Sequence, residues 1–189
     1  MTVHAEALAP AKNVELHNTA NGIRVTWGNV KDAYVYEVYR NGEKAATLQK
    51  QNAWRFVDEK TKNREGEEFT YQIVAKAKQN AFEESTSEEV SILRLSSISS
   101  LKLKNGEGLS IDCSWEEHPE ADGYEVAVYA EGLKRAIQIK RTELNEIKLI
   151  DIYNTKTYRV QVRPYKAYKG GYCYAGWCKS KKIRAKYVK

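Results

Sequence analysis

The chain has 189 residues, 42% of them hydrophobic, with 31 Lys or Arg against 25 Asp or Glu and a formal net charge of +6. With only 3 Pro, 11 Gly and 3 Cys, this composition excludes a collagen-like, linker-rich or disulfide-dense chain and suits two domains of about 90 residues, each with a modest core. No apolar run approaches the roughly 18 residues of a membrane-spanning helix, so no span is expected.

After a polar lead, Val14 and Leu16 alternate with Asn13, Glu15 and His17, and Asn21-Gly22 turns the chain into Ile23-Arg-Val25-Thr-Trp27. That pattern reads as strand, tight turn, strand. A period of two puts Ile23, Val25 and Trp27 on one face, where burying the indole is worth roughly 2 to 3 kcal/mol. Residues 34–40 alternate again up to Asn41-Gly42, a strong hairpin signal, and return through residues 43–48. Short strands are expected at 54–58, 69–75 and 90–95, with a charged loop at 59–67. The count is seven strands and no helix.

Adding 88 to the residue number takes Trp27 to Trp115, Ala33 to Ala121, Tyr36 to Tyr124, Glu37 to Glu125 and Val38 to Val126, so a second copy of the unit follows in tandem. A repeat this long is a domain, not a solenoid turn. The expected boundaries are 10–96 and 97–189. Strands of the second copy are expected at 101–104, 109–115, 124–129, 135–140, 147–150, 158–168 and 177–187, and its cores and those of the first centre on Trp115 and Trp27.

Three stretches resemble the fibronectin type III domain, and the resemblance extends over nearly the whole chain. They are Ile23-x-Val25-x-Trp27, Tyr36-x-Val38-x-Arg40-Asn41-Gly42, and Ile152 followed by Asn154-Thr-Lys-Thr-Tyr158-Arg-Val160-Gln-Val162-Arg163. The resemblance implies an all-β fold of two tandem seven-stranded fibronectin type III-like (immunoglobulin-like) β-sandwiches. It also implies that the Tyr158 hydroxyl bonds nearby backbone at a strand corner. Phe69 stands at that place in the first copy and has no hydroxyl, so the first corner is expected to hold by packing alone. The phrasing is most similar to bacterial members. It implies a non-catalytic module of a secreted or cell-surface bacterial protein, acting as a spacer or a protein- and adhesion-binding unit. The alternative is a glycan- or polyanion-binding accessory module of an extracellular carbohydrate-active enzyme.

The residues name no reaction. His4, His17 and His118 have no metal-binding spacing, and no phosphate-binding, nucleophile-elbow or Cys-x-x-Cys motif occurs, so neither a cofactor nor a metal is expected. Cys113 alternates with Ile111 and Trp115 and reads as a small core residue. Cys173 and Cys178 flank the last expected hairpin; a disulfide between them and two separate thiols both remain open.

Charge is uneven. Up to residue 96 there are 13 Lys or Arg against 14 Asp or Glu, and beyond it 18 against 11; residues 152–189 hold 11 basic residues and no acidic one. With Val160 and Val162 inward, Arg159 and Arg163 face outward, followed by aromatics interleaved with cations up to Trp177. One reading is a solvated basic face whose aromatics stack on strand neighbours, with Trp177 beside Arg159 or Arg163. The other is a site for an extracellular protein or an anionic wall polymer or polysaccharide. There Lys166, Lys169, Lys179 and Lys181 supply charge, and Tyr168, Tyr172 and Trp177 supply contact area. Nucleic acid is not the expected partner, since only the basic second half points to it.

Overall fold

The computed structural model describes residues 6–49 and 53–189, so His4 lies outside the described residues. Contacts divide the chain into two compact units, Met1–Arg94 and Leu95–Lys189. In the first, β1 (Glu15–Thr19), β2 (Gly22–Thr26) and β5 (Arg55–Asp58) form one antiparallel sheet in the order β1-β2-β5. The second sheet holds β3 (Ala33–Arg40), β4 (Glu43–Leu48) and β6 (Glu68–Ala77), with two short strands, β7 (Ser85–Thr86) and β8 (Val90–Leu93), both paired to β6.

The second unit repeats the plan. Strands β9 (Lys102–Gly106), β10 (Ser110–Ser114) and β13 (Glu146–Leu149) make the three-stranded sheet. The other sheet runs from β12 (Gln138–Thr142) through β11 (Gly123–Ala130) to β14 (Thr157–Tyr168), with β15 (Gly171–Tyr174) and β16 (Lys181–Arg184) both paired to β14.

Local chemistry explains the turns. Asn41 and Gly42 have φ of 49° and 78°, the two left-handed residues of a type I′ hairpin. Lys169 and Gly170, at 47° and 79°, do the same between β14 and β15. That turn is not signalled by an Asn, and it corrects the expected last strand over 177–187: the chain returns at residue 171, and the final strand is split into β15 and β16. Gly22 is required by space, because a Cβ there would lie 2.2 Å from the carbonyl oxygen of Asp58.

Alternation builds the cores as expected. Ile23, Val25 and Trp27 are buried in the first unit, and Ile111, Cys113 and Trp115 in the second. Trp27 packs on Tyr36 with ring centroids 5.6 Å apart, and Trp115 on Tyr124 at 5.1 Å. Each tyrosine hydroxyl accepts a backbone N–H six residues upstream, from Val30 at 2.9 Å and from His118 at 2.7 Å. The two buried tyrosines thus keep their polar ends satisfied, whereas the Nε1 atoms of Trp27 and Trp115 are buried without a hydrogen-bond partner.

The corners differ. In the second unit the N–H of Tyr153 donates to the Tyr158 hydroxyl at 2.8 Å, the bond the resemblance implies. In the first, packing alone is not what holds the corner. Arg94, only 1% exposed, reaches under it and donates from Nε to the Thr61 carbonyl (3.0 Å) and from Nη2 to the Lys62 carbonyl (2.9 Å). A buried guanidinium supplies the polar tie that Phe69 lacks.

Candidate functional site

The outer face of the β12-β11-β14 sheet gathers the side chains nearest to the expected site. Register places Arg141 opposite Glu125 on one side and Arg163 opposite Glu125 on the other. The carboxylate of Glu125, buried in mid-strand, accepts from Arg141 Nε and Nη2 at 3.1 and 2.9 Å and from Arg163 Nε and Nη2 at 2.9 and 2.6 Å. Burial by itself raises the Glu125 pKa, but the hydrogen bonds and charges of Arg163 and Arg141 outweigh it and hold the carboxyl below its ordinary value.

Aromatic rings then cover the guanidinium groups. Arg163 lies 4.0 Å from the Tyr174 ring centroid and 4.4 Å from that of Trp177. Arg141 sits among Tyr165, Tyr172 and Tyr174 at 5.4, 4.9 and 5.9 Å and also donates to the Tyr174 hydroxyl. Gly123 is needed beneath this stack, since a Cβ there would fall 2.5 Å from the Tyr165 hydroxyl. The result is a ladder of alternating cations and rings, each step worth about 0.5 to 1 kcal/mol at a half-exposed site.

The nine expected site residues do not form one surface. Arg163, Tyr172 and Trp177 join the ladder. Arg159 stacks on Tyr129 at 3.7 Å instead of on Trp177, and donates to Gln161 at 3.0 Å. Lys166 pairs with Glu120 at 3.2 Å. Lys169 lies 5.1 Å above the Tyr168 ring in the hairpin turn, and the Tyr168 hydroxyl is buried without a hydrogen-bond partner. Lys179 and Lys181 are exposed, but Lys181 stands opposite inward-facing Val160, whereas Lys182 stands opposite Arg159 and shares its face. Sequence reasoning missed Glu125, Arg141 and Lys182 as members of this surface, and placed Tyr165 and Tyr174 in the aromatic stretch without assigning them to the site. The available signal was a carboxylate inside the apolar run of β11, which requires cations on both neighbouring strands.

Of the two alternatives left open for Cys173 and Cys178, two separate thiols is the one found, and a disulfide between them is corrected. Cys173 is opposite Lys166, while the Cys178 N–H donates to the Val162 carbonyl at 2.9 Å. Both therefore flank the same strand from the same side, four residues or about 13 Å apart along it, where a disulfide needs Cα atoms about 4.4 to 6.8 Å apart. Cys178 has another use: its Sγ accepts the Val162 N–H at 3.2 Å. Cys113 is a core thiol whose pKa burial pushes up to about 12, which keeps it protonated and unreactive.

Among the described residues no group of three or more His, Cys, Asp or Glu could hold a metal ion, and no helix is long and apolar enough to cross a membrane.

A three-stranded sheet facing a five-stranded one, twice over, with the last strand of each unit in two short pieces, defines two fibronectin type III-like sandwiches of the immunoglobulin-like class. No protein-family model matches the sequence, and no curated protein is similar to it. Among solved structures the chain is similar to the FN1-FN3 domains of chicken CNTN1, at 15% identity and a TM-score of 0.43, covering 98% of this chain and 68% of that one. It is also similar to a two-domain fibronectin type III segment of chicken tenascin, at 14% identity and a TM-score of 0.43, covering 93% and 99%. A structure described as a myokine superposes on 48% of this chain and 97% of its own at 14% identity and a TM-score of 0.41.

Proposed function

We propose that this chain is a non-catalytic tandem module of a secreted or cell-surface bacterial protein, and that its second domain engages an anionic polymer or an acidic protein surface. The supporting observation is the run of exposed cations on and beside β16. Lys179, Lys181, Lys182, Arg184 and Lys186 are all exposed, and no acidic residue occurs from residue 152 onward. In contrast, the guanidinium groups of Arg141 and Arg163 share the Glu125 carboxylate and are covered by rings. The ladder makes the sheet face rigid, and the lysines beside it carry the field that attracts a polyanion.

The test is binding of the whole chain to a sulfated glycan, a poly(glycerol phosphate) and a neutral polysaccharide at low and physiological salt. Binding to the two polyanions that weakens with salt, and at least tenfold weaker binding by the K179Q/K181Q/K182Q variant, is the expected result. Absence of binding to all three at low salt would leave the module as a spacer.

A further inference from the structure

The outer face of the three-stranded sheet in the first domain carries a groove of about 540 Å³, on a different domain from the ladder. Register across β1, β2 and β5 lays its residues out in two rows: His17 beside Arg24, and Glu15 beside Thr26 and Arg55. Arg24 and Arg55 are thus diagonal neighbours on one face, with Cβ atoms about 7 to 8 Å apart. That spacing lets one anionic group sit between the two guanidinium groups.

Three observations bear on what this groove could hold. Trp54, at its rim, is 54% exposed, although a surface indole costs apolar contact with water. Its backbone is fixed, because the Trp27 N–H donates to the Trp54 carbonyl at 3.0 Å. The Nε of Arg24 is buried and has no hydrogen-bond partner, neither Arg24 nor Arg55 has a carboxylate in ion-pair reach among the described residues, and the Arg55 guanidinium lies 5.5 Å from the Trp54 ring centroid, which places cation and indole side by side in the groove. Glu15 is engaged with His17, at 3.3 Å.

The second domain supplies the control. The same positions there hold Asp112 for Arg24, Glu146 for Arg55, Lys102 for Glu15 and Asn145 for Trp54. Its charges are reversed and locally answered, with Lys104 at 3.6 Å from Asp112. Asn145 is exposed and its side chain donates to the Trp115 carbonyl at 3.0 Å. The second domain keeps a groove of about 550 Å³ on the same strands, but lines it with Asp112 and Glu146 in place of the two arginines and carries no indole at the position of Trp54.

We infer that the groove is a saccharide subsite for a sugar ring bearing an anionic group. The C–H face of the ring lies against Trp54, the anion lies between Arg24 and Arg55, and hydroxyls reach Asn13, Glu15 and His17. A flat, shallow cleft with one aromatic platform and several convergent polar groups suits a ring with polar edges and apolar faces. A neutral sugar would leave the guanidinium pair unanswered, and inorganic phosphate would leave the indole unused.

The test is calorimetric titration of the whole chain with a glucuronate-containing oligosaccharide, a glucose oligosaccharide, glucose 6-phosphate and inorganic phosphate. The expected result is binding of the acidic oligosaccharide, at least tenfold tighter than the glucose oligosaccharide. Binding of glucose 6-phosphate as well would place the shared anionic-sugar chemistry above the uronate alone. Trp54→Ala should lose binding at least tenfold with an unchanged melting temperature, Trp54→Phe should retain most of it, and Arg24→Gln should bring acidic and neutral sugars to equal affinity. The K179Q/K181Q/K182Q variant should bind these probes like the parent, which separates this site from the polyanion surface of the second domain. Binding of none of the sugars, equal binding of acidic and neutral ones by the parent, or binding unaffected by Trp54→Ala would overturn the inference.

Discussion

The two domains build one fold around different interiors. In the first, Arg40 lies opposite Tyr71, and Asp58 lies opposite Ile23. Asp58, 2% exposed, accepts from Arg40 Nη1 at 2.8 Å and from the Tyr71 hydroxyl at 2.9 Å. In the second, the same register positions are Val128 opposite Val160, and Leu149 opposite Ile111. A buried Arg–Asp–Tyr network in one copy is thus an apolar Val–Leu–Val cluster in the other. Sandwich geometry requires that the space between the sheets be filled and that any polar group there be answered; it does not specify which chemistry does so.

The largest expected effect comes from breaking the network on one side only. Asp58→Ala leaves a guanidinium and a phenol without their acceptor in the core, and should cost the first domain about 3 to 5 kcal/mol. The triple variant Arg40→Val, Asp58→Leu, Tyr71→Val installs the interior of the second domain and should recover most of that loss. Urea unfolding followed by hydrogen exchange resolved to each domain measures both. If the triple variant is as unstable as the single one, the two interiors are not interchangeable.

Next in size are the corners. Phe69 lies opposite Ile92, and Tyr158 lies opposite Ile183. Arg94 N–H donates to the Glu67 carbonyl where Ala185 N–H donates to that of Lys156. A phenylalanine with a buried arginine two residues past its partner in one domain therefore corresponds to a tyrosine with a buried alanine in the other. Arg94→Ala should cost about 2 to 4 kcal/mol, because it opens a void and strands two loop carbonyls. Tyr158→Phe removes one acceptor from a half-buried N–H and should cost about 1 kcal/mol. Equal losses from the two edits would mean that Arg94 fills space without tying the corner.

Acid should separate the sheet faces. Glu37, the counterpart of Glu125, is answered by Lys44 at 3.0 Å and Lys76 at 3.1 Å. Burial raises its pKa, and the two lysines outweigh that and lower it. Both native carboxyls are held below the ordinary 4.5, so their stabilisation is complete above that pH and is lost as pH falls through the lowered native values. Glu125→Gln should flatten the acid loss of the second domain, and Glu37→Gln that of the first, with the Glu37 effect more sensitive to salt because its partners are flexible lysines. An acid transition that neither variant changes would assign it to other carboxylates.

The fold was largely legible in the sequence, because two-residue alternation fixes which face each strand buries and Asn-Gly fixes where it turns. Trp27, Trp115 and the outward pair Arg159 and Arg163 follow from that alone. The ladder was only half legible: that Arg163 meets Trp177 can be guessed from neighbouring segments, but Arg141 arrives from β12 through a register no local pattern encodes. Arg94 was illegible for a related reason. A lone arginine after an apolar strand reads as the end of a strand at the surface, and only the loop folded over it makes it core. The split of the last strand was missed because Lys169-Gly170 is a left-handed turn without the residue that usually announces one.

The last comparison is at that split, where the mildest edit is expected to leave stability nearly unchanged. In the second domain the Cys178 N–H donates to the Val162 carbonyl, and the Val162 N–H donates back to Cys178 Sγ. In the first, the Ser87 N–H donates to the Ile73 carbonyl at 2.9 Å, and the Ile73 N–H donates back to Ser87 Oγ at 3.0 Å. Ile73 faces Val38 as Val162 faces Val126, so these are the same position. Where the final strand breaks from its partner, a backbone N–H loses its carbonyl, and a short side-chain acceptor replaces it. The requirement is for an acceptor one bond beyond Cβ, which serine and cysteine meet and alanine and valine do not. Cys178→Ser should therefore stay within about 1 kcal/mol of the parent, the hydroxyl gaining a better hydrogen bond and losing some packing, whereas Cys178→Ala should cost about 1 to 3 kcal/mol by orphaning a buried N–H. Ser87→Ala should cost a similar amount in the first domain, and Ser87→Cys should be mild. The readout is exchange protection of the Val162 and Ile73 amides. If alanine leaves both amides as protected as serine or cysteine does, the side chain is filler and the break in the strand is held by its backbone alone.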